Sequence, residues 1–240
     1  MPYTVHLNAV IAMVMSWANL DTPMAPDIQE FMSLLGFLDL QTHTINRATP
    51  QNHIWYKYCR GQEGVDGTSG LPYSLLDLLS AVHTTGIEHA FLSWVEPAGA
   101  PAQQCVWKAT RFAGILSAYK VQQEQASSGV AILATDSPIL PGVLVNNILT
   151  LIQQCLVFVP SQTSHFKQTL MYPLVMAAAQ RSVLSASSKT FICQTIGDLA
   201  SERNHVLYRG VLRVIREYWQ SEEETIECTA RRLNIELCLL

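Results

Sequence analysis

Gly70-Leu-Pro-Tyr-Ser-Leu-Leu-Asp-Leu-Leu-Ser80 is the stretch from which the rest of the chain is read. Gly70 and Pro72 close a polar loop and pre-set the backbone for a helix start, because a proline in a first helical turn has no N–H partner to lose. Leu75, Leu76, Leu78 and Leu79 follow within a few residues, a density that predicts a helix buried on most sides. Asp77 is the charge among them, so it has to face solvent, a cation or a hydrogen-bond donor.

Outward from this helix the pattern stays helical. Toward the N-terminus, residues 4–20 form an apolar helix that Asp21-Thr-Pro-Met-Ala-Pro26 stops, and Asp27 with Glu30 has capping-box spacing for a second helix running to about Thr44. Ile54-Trp-Tyr-Lys-Tyr-Cys59 has strand propensity, but an isolated strand among helices has nothing to pair with, so it reads as helical. On the other side the motif helix extends to about Thr85, with a short helix from Ile87 to Val95 and a turn cluster from Glu96 to Pro101. Gln103 to Gln125 reads as one long helix. Ala126 to Gly142, rich in Ser, Gly and Pro, is a long connection and the candidate lid. Val143 to Val159 is strongly apolar, and Gln162 to Leu184 carries Pro173, which predicts a kink or restart near Tyr172. Ser187 or Ser188 caps a helix to about Arg203, Val206 to Gln220 is amphipathic, and Ser221 with Glu224 opens a last helix by capping-box spacing. A C-terminus as apolar as Ile235-Glu-Leu-Cys-Leu-Leu240 has to dock on the core. The expectation is an all-α fold: one domain over residues 1–240, a bundle of about 8–11 helices, with no solenoid period.

Composition narrows the function classes. Of 240 residues 49% are hydrophobic and only 14% charged, against a usual charged share of about 25%. Such a chain has a large core, an apolar cavity or a partner surface. A net charge of −4 with few Lys and Arg argues against nucleic-acid binding by electrostatics. Six cysteines show no C-x2-C pair and no zinc spacing, so they read as buried thiols, and no metal is expected. Without a secretory leader, and without the ~18 uninterrupted apolar residues of a membrane span, the expected location is intracellular, cytoplasmic or nuclear.

Three segments together carry a resemblance. The opening Gly70-Leu-Pro-Tyr-Ser-Leu-Leu-Asp-Leu-Leu, then Met171-Tyr-Pro-Leu-Val-Met-Ala-Ala-Ala179, then Leu207-Tyr-Arg-Gly-Val-Leu-Arg-Val-Ile-Arg-Glu-Tyr-Trp219 followed by Ile235 to Leu240, resemble the fungal-specific transcription factor domain. That domain is the helical regulatory part of many zinc-cluster regulators, and the motifs span residues 28–240 in the family's order. The family's DNA-reading module, an N-terminal cysteine cluster opening C-x2-C, does not occur in this sequence, so direct nucleic-acid binding in the family's manner is not expected. What the resemblance leaves is the part thought to sense small hydrophobic molecules or to contact proteins.

Catalytic templates mostly fail: H-E-x-x-H, G-x-S-x-G, the P-loop and G-x-G-x-x-G are missing, and with them any cofactor motif. Ser117-Ala-Tyr-Lys120 matches S-x-x-K, but without companion motifs it reads as coincidence. His83 and His89, on either side of Gly86 and near Glu88, come nearest to an acid/base pair; the alternative is two surface or satisfied core histidines. Trp94, Trp107, Tyr119, Met171, Tyr172 and Met176 are the residues for lining a greasy cavity, or else plain core. The leading expectation is a helical domain that encloses a hydrophobic small molecule as sensor or co-regulator. A second is a cofactor-free enzyme of natural-product biosynthesis, a cyclase of pericyclic type or an isomerase acting on a terpenoid or polyketide, in which a shaped pocket holds reacting atoms close. A third is a dimerisation module, giving a homodimer.

Overall fold

A computed structural model of the chain describes residues 2–17, 26–127, 139–158, 168–203, 206–223 and 225–239. Ten α-helices lie among them: α1 (Tyr3–Trp17), α2 (Pro26–Leu38), α3 (Tyr73–Ser80), α4 (Ile87–Ser93), α5 (Pro101–Ser127), α6 (Pro141–Phe158), α7 (Met171–Ala178), α8 (Ala186–Arg203), α9 (Val206–Gln220) and α10 (Ile226–Arg232). The fold is all-α, as the periodicity predicts. Residues 128–138, most of the candidate lid, lie outside the described residues.

α7 is the hub. All of its residues from Met171 to Ala178 are buried, as befits a helix with no polar face and no charge to solvate. Pro173 falls in its first turn, where no backbone bond is lost, so the expected restart near Tyr172 occurs at Met171. The 27-residue α5 and the antiparallel-running return through α6 pack beside it. α6 is the one described helix with the length and mean hydropathy, 1.4, of a membrane-crossing segment. Its buried residues Leu144, Val145, Ile148, Leu149, Ile152 and Cys155 recur at helical spacing along one face, which joins the core cluster. The buried apolar residues from Leu7 to Leu239 form one contiguous cluster.

The opening motif is anchored to this frame at both ends. Pro72 is the N-cap of α3 rather than a first-turn residue, and Gly70 takes a positive φ of 69°. The Gly70 carbonyl accepts from Trp107 Nε1 of α5 at 2.8 Å. Asp77 finds donors: Trp55 Nε1 at 2.8 Å and the Gly61 N–H at 3.0 Å. Leu75, Leu76 and Leu79 are fully buried, whereas Leu78 is only partly so. At about 100° per residue the four leucines span an arc of about 160°, so burial on most sides is corrected to burial on one broad face. α3 ends at Ser80, short of Thr85.

Several boundaries differ for local reasons. α2 stops at Leu38 rather than near Thr44 because the buried Asp39 side chain is taken by Arg47 Nη2 (2.5 Å) and by the N–H groups of Asn52 (3.1 Å) and Ile54 (3.3 Å). Leu40 leads into a 3-10 turn over Gln41–His43, Thr44 turns extended, and Thr44–Ile45 (β1) pairs antiparallel with Leu237–Cys238 (β2). No strand is expected from the sequence, and this two-residue ladder is how the apolar C-terminus docks. Trp55–Cys59 is helical, as a single π-turn. Ser185, not Ser187 or Ser188, caps α8, its Oγ accepting the Ser188 N–H at 3.0 Å. Thr225 caps α10, its Oγ1 accepting from Cys228 N at 3.2 Å; Glu224 of the expected Ser221 box lies outside the described residues.

Candidate functional site

Four residues one helical face apart on α5, Leu116, Tyr119, Lys120 and Gln123, form one wall of a cavity of about 330 Å³. α7 supplies Val175 and Met176, the segment after it Gln180 and Arg181, α9 Tyr218, β1 Ile45, and the start of α10 Thr225, Ile226 and Glu227. Leu116, Tyr119, Val175, Met176, Ile226 and Ile45 are buried and make the inner surface apolar. Lys120 is about one-third exposed and Glu227 one-quarter, so the polar groups gather toward the mouth. The volume sits at the lower end of small-molecule pockets, about 300 to 1,000 Å³.

Ion pairs and hydrogen bonds set the mouth. Lys120 Nζ bonds Glu227 and lies 3.9 Å from Glu124. Arg181 Nη1 donates to the carbonyls of Tyr218 (3.1 Å) and Ser221 (2.8 Å), and its guanidinium lies over the Tyr218 ring at 4.8 Å. The Tyr218 hydroxyl donates to the Ala179 carbonyl at 3.0 Å. Burial raises the Tyr218 pKa, Arg181 opposes that, and Glu227 adds to it.

A second recess of about 50 Å³ shares Lys120, Met176, Ile45 and Glu227 with the first and reaches Ser117, Thr42 and Leu239, room for one or two waters at ~30 Å³ each. Behind it lies a buried polar stack. Ser117 Oγ and the Tyr172 hydroxyl are 2.8 Å apart, and the Tyr172 ring stacks on His43 at 4.8 Å. Thr42 Oγ1 lies 2.9 Å from His43 Nδ1. Burial pushes the His43 imidazole down to about 3 and raises the Tyr172 phenol, against the Ser117 hydrogen bond. Ser117 and Lys120 of the S-x-x-K match do line one recess, but among the described residues no hydrogen bond joins them. Lys120 is turned to Glu227 and Glu124, and Ser117 to Tyr172.

The sequence candidates divide. Tyr119 and Met176 line the main cavity. Tyr172 stands behind the smaller recess on Ser117. Trp107 is fully buried against the Gly70 carbonyl, Met171 is fully buried in α7, and Trp94 is half-buried with Nε1 donating to Ser74 Oγ at 3.0 Å; none of these three lines a described cavity. His83 packs on the His53 ring at 4.9 Å and on Tyr56 at 5.5 Å. Burial, then His53, lowers its pKa. His89 is exposed on α4, and its carbonyl accepts from Ser93 Oγ. Sequence reading missed Lys120, Arg181, Tyr218 and Glu227 as neighbours; the local signal for the first was the 116, 119, 120, 123 spacing on one helix face.

Among the described residues no cluster of three or more His, Cys, Asp or Glu side chains is placed to hold a metal ion. No family model, no curated protein and no solved structure matches this chain.

Proposed function

We propose that this chain binds a small, mainly apolar molecule in the cavity between α5, α7, α9 and α10, and that it serves as a ligand-sensing or co-regulatory domain. The observation that carries the reading is an unfilled space of about 330 Å³ with a buried apolar wall, in a protein whose core is otherwise continuous. A concave space of that size, apolar at the back and polar at the mouth, has the form of a small-molecule site. The sensing role draws on the resemblance to the fungal regulator domain, whose three motifs fall on α3, α7 and α9 with β2. The cavity touches the second and third of these motifs, through Met176 of α7 and Tyr218 of α9. Occupancy would therefore bear on how the C-terminal elements seat.

The test is a thermal-shift panel of lipophilic metabolites on the wild type and on Met176→Trp, which fills the cavity. Wild-type Tm rises with at least one compound and the Met176→Trp response is lost. An unchanged wild-type Tm across the panel overturns the reading.

Catalysis is a second reading, favoured by the gathering of Lys120, Glu227 and Arg181 at one mouth. Charges of both signs beside an apolar pocket suit a cofactor-free cyclase or isomerase, where fixing the reacting atoms can remove ~7 to 11 kcal/mol of barrier. Incubation with polyene or polyketide precursors checks it: a product ratio equal to that in buffer rejects the enzyme.

A further inference from the structure

We infer that the molecule taken by this cavity ends in an acidic group and that Arg181 receives it, an inference that rests on the cavity reading above. Arg181 lies just beyond α7, and its guanidinium plane is fixed twice. Nη1 is spent on the Tyr218 and Ser221 carbonyls at the end of α9, and one face covers the Tyr218 ring at 4.8 Å. Among the described residues no carboxylate pairs with Arg181, and Nε and Nη2 meet no acceptor. Those nitrogens form the edge that takes a carboxylate by two parallel hydrogen bonds. Lys120, the other cation of the cavity, is already met by Glu227 and Glu124.

The rest of the cavity agrees with such a ligand. Val175 is fully buried and Met176 nearly so, which suits a hydrocarbon body. The volume, about 330 Å³, equals roughly eleven waters at ~30 Å³ each, room for a medium-length acid or a single substituted ring. A guanidinium held in place by its own protein contacts loses little further freedom when the acid arrives. The charged groups around the mouth are Arg181, Lys120 and Glu227, with Glu124 lining the adjoining recess; the acid has to approach on the Arg181 side, away from the two glutamates.

The experiment is calorimetric titration of the whole chain with octanoate and with 1-octanol, matched in body and different in head. Octanoate is expected to bind tighter than octanol by on the order of tenfold, with the advantage lost in Arg181→Gln and partly kept in Arg181→Lys. Equal affinity for the two probes overturns the acid inference and leaves the cavity reading standing; binding of neither overturns both. An octanoate advantage that survives in Arg181→Gln overturns the assignment to Arg181. Because Arg181 also ties the end of α9, the wild-type Arg181 Nε–H resonance supplies a readout that needs no variant. It moves downfield on adding octanoate and not on adding octanol, and a signal unmoved by octanoate overturns the inference.

Discussion

His43 is a neutral imidazole sealed inside the protein, and its cost appears when acid is added. Its pKa is pushed down to about 3 by burial from an ordinary 6.5, so below 6.5 the unfolded chain takes up a proton that the folded chain refuses. Unfolding then binds protons, and stability falls as pH falls, by about 1.4 kcal/mol per pH unit from this group alone. The loss begins near 6.5 and levels off near 3. Urea midpoints across that window should slope more steeply in the wild type than in His43→Gln; parallel slopes contradict this. Asp39 is the second residue with a large individual role. It is 1% exposed and receives Arg47, Asn52 and Ile54. Asp39→Ala strands a nearly buried guanidinium and two N–H groups, an expected loss of about 3 to 5 kcal/mol, read from urea unfolding at neutral pH. A loss under 1 kcal/mol would show that water replaces the carboxylate.

Among elements, the contact of α4 with α5 turns on Gly114. A Cβ there would sit 2.5 Å from Phe91 Cε1, and Phe91 is fully buried. Ala is the better helix former by about 1 kcal/mol, but displacing a packed ring costs about 1 to 3 kcal/mol. Gly114→Ala should therefore lower Tm despite its propensity gain. α10 is short and depends on its cap: Thr225→Ala should cost about 1 kcal/mol and weaken ligand binding as well, since Ile226 and Glu227 line the cavity. An unchanged affinity would separate α10 from the site.

Element by element, what could be read from the sequence followed the range of the interactions. α9 was legible because its period alone sorts it: Val211 and Ile215 are fully buried while Arg209, Arg213 and Arg216 are exposed. α7 was legible as a helix restart from Pro173. The β1–β2 ladder was not, because two residues near position 44 gain strand character only from partners near 238, and a two-residue propensity signal is too small to show. The site was half legible for the same reason. Tyr119 and Met176 were named as greasy residues, but Arg181 and Glu227 look like ordinary surface charges until α7, α9 and α10 bring them to one mouth.

At the scale of the whole molecule, a chain with 49% hydrophobic residues wraps a wholly buried α7 and still leaves a cavity beside it. Methionine methyl NMR reports on that cavity, because Met176 lines it while Met32 is buried far from it in sequence and outside its wall. On titration of methyl-labelled protein with 1-octanol, the Met176 signal is expected to shift saturably with Met32 unmoved. A Met176 signal that stays in place, or shifts spread over every methionine without saturation, would contradict the cavity reading.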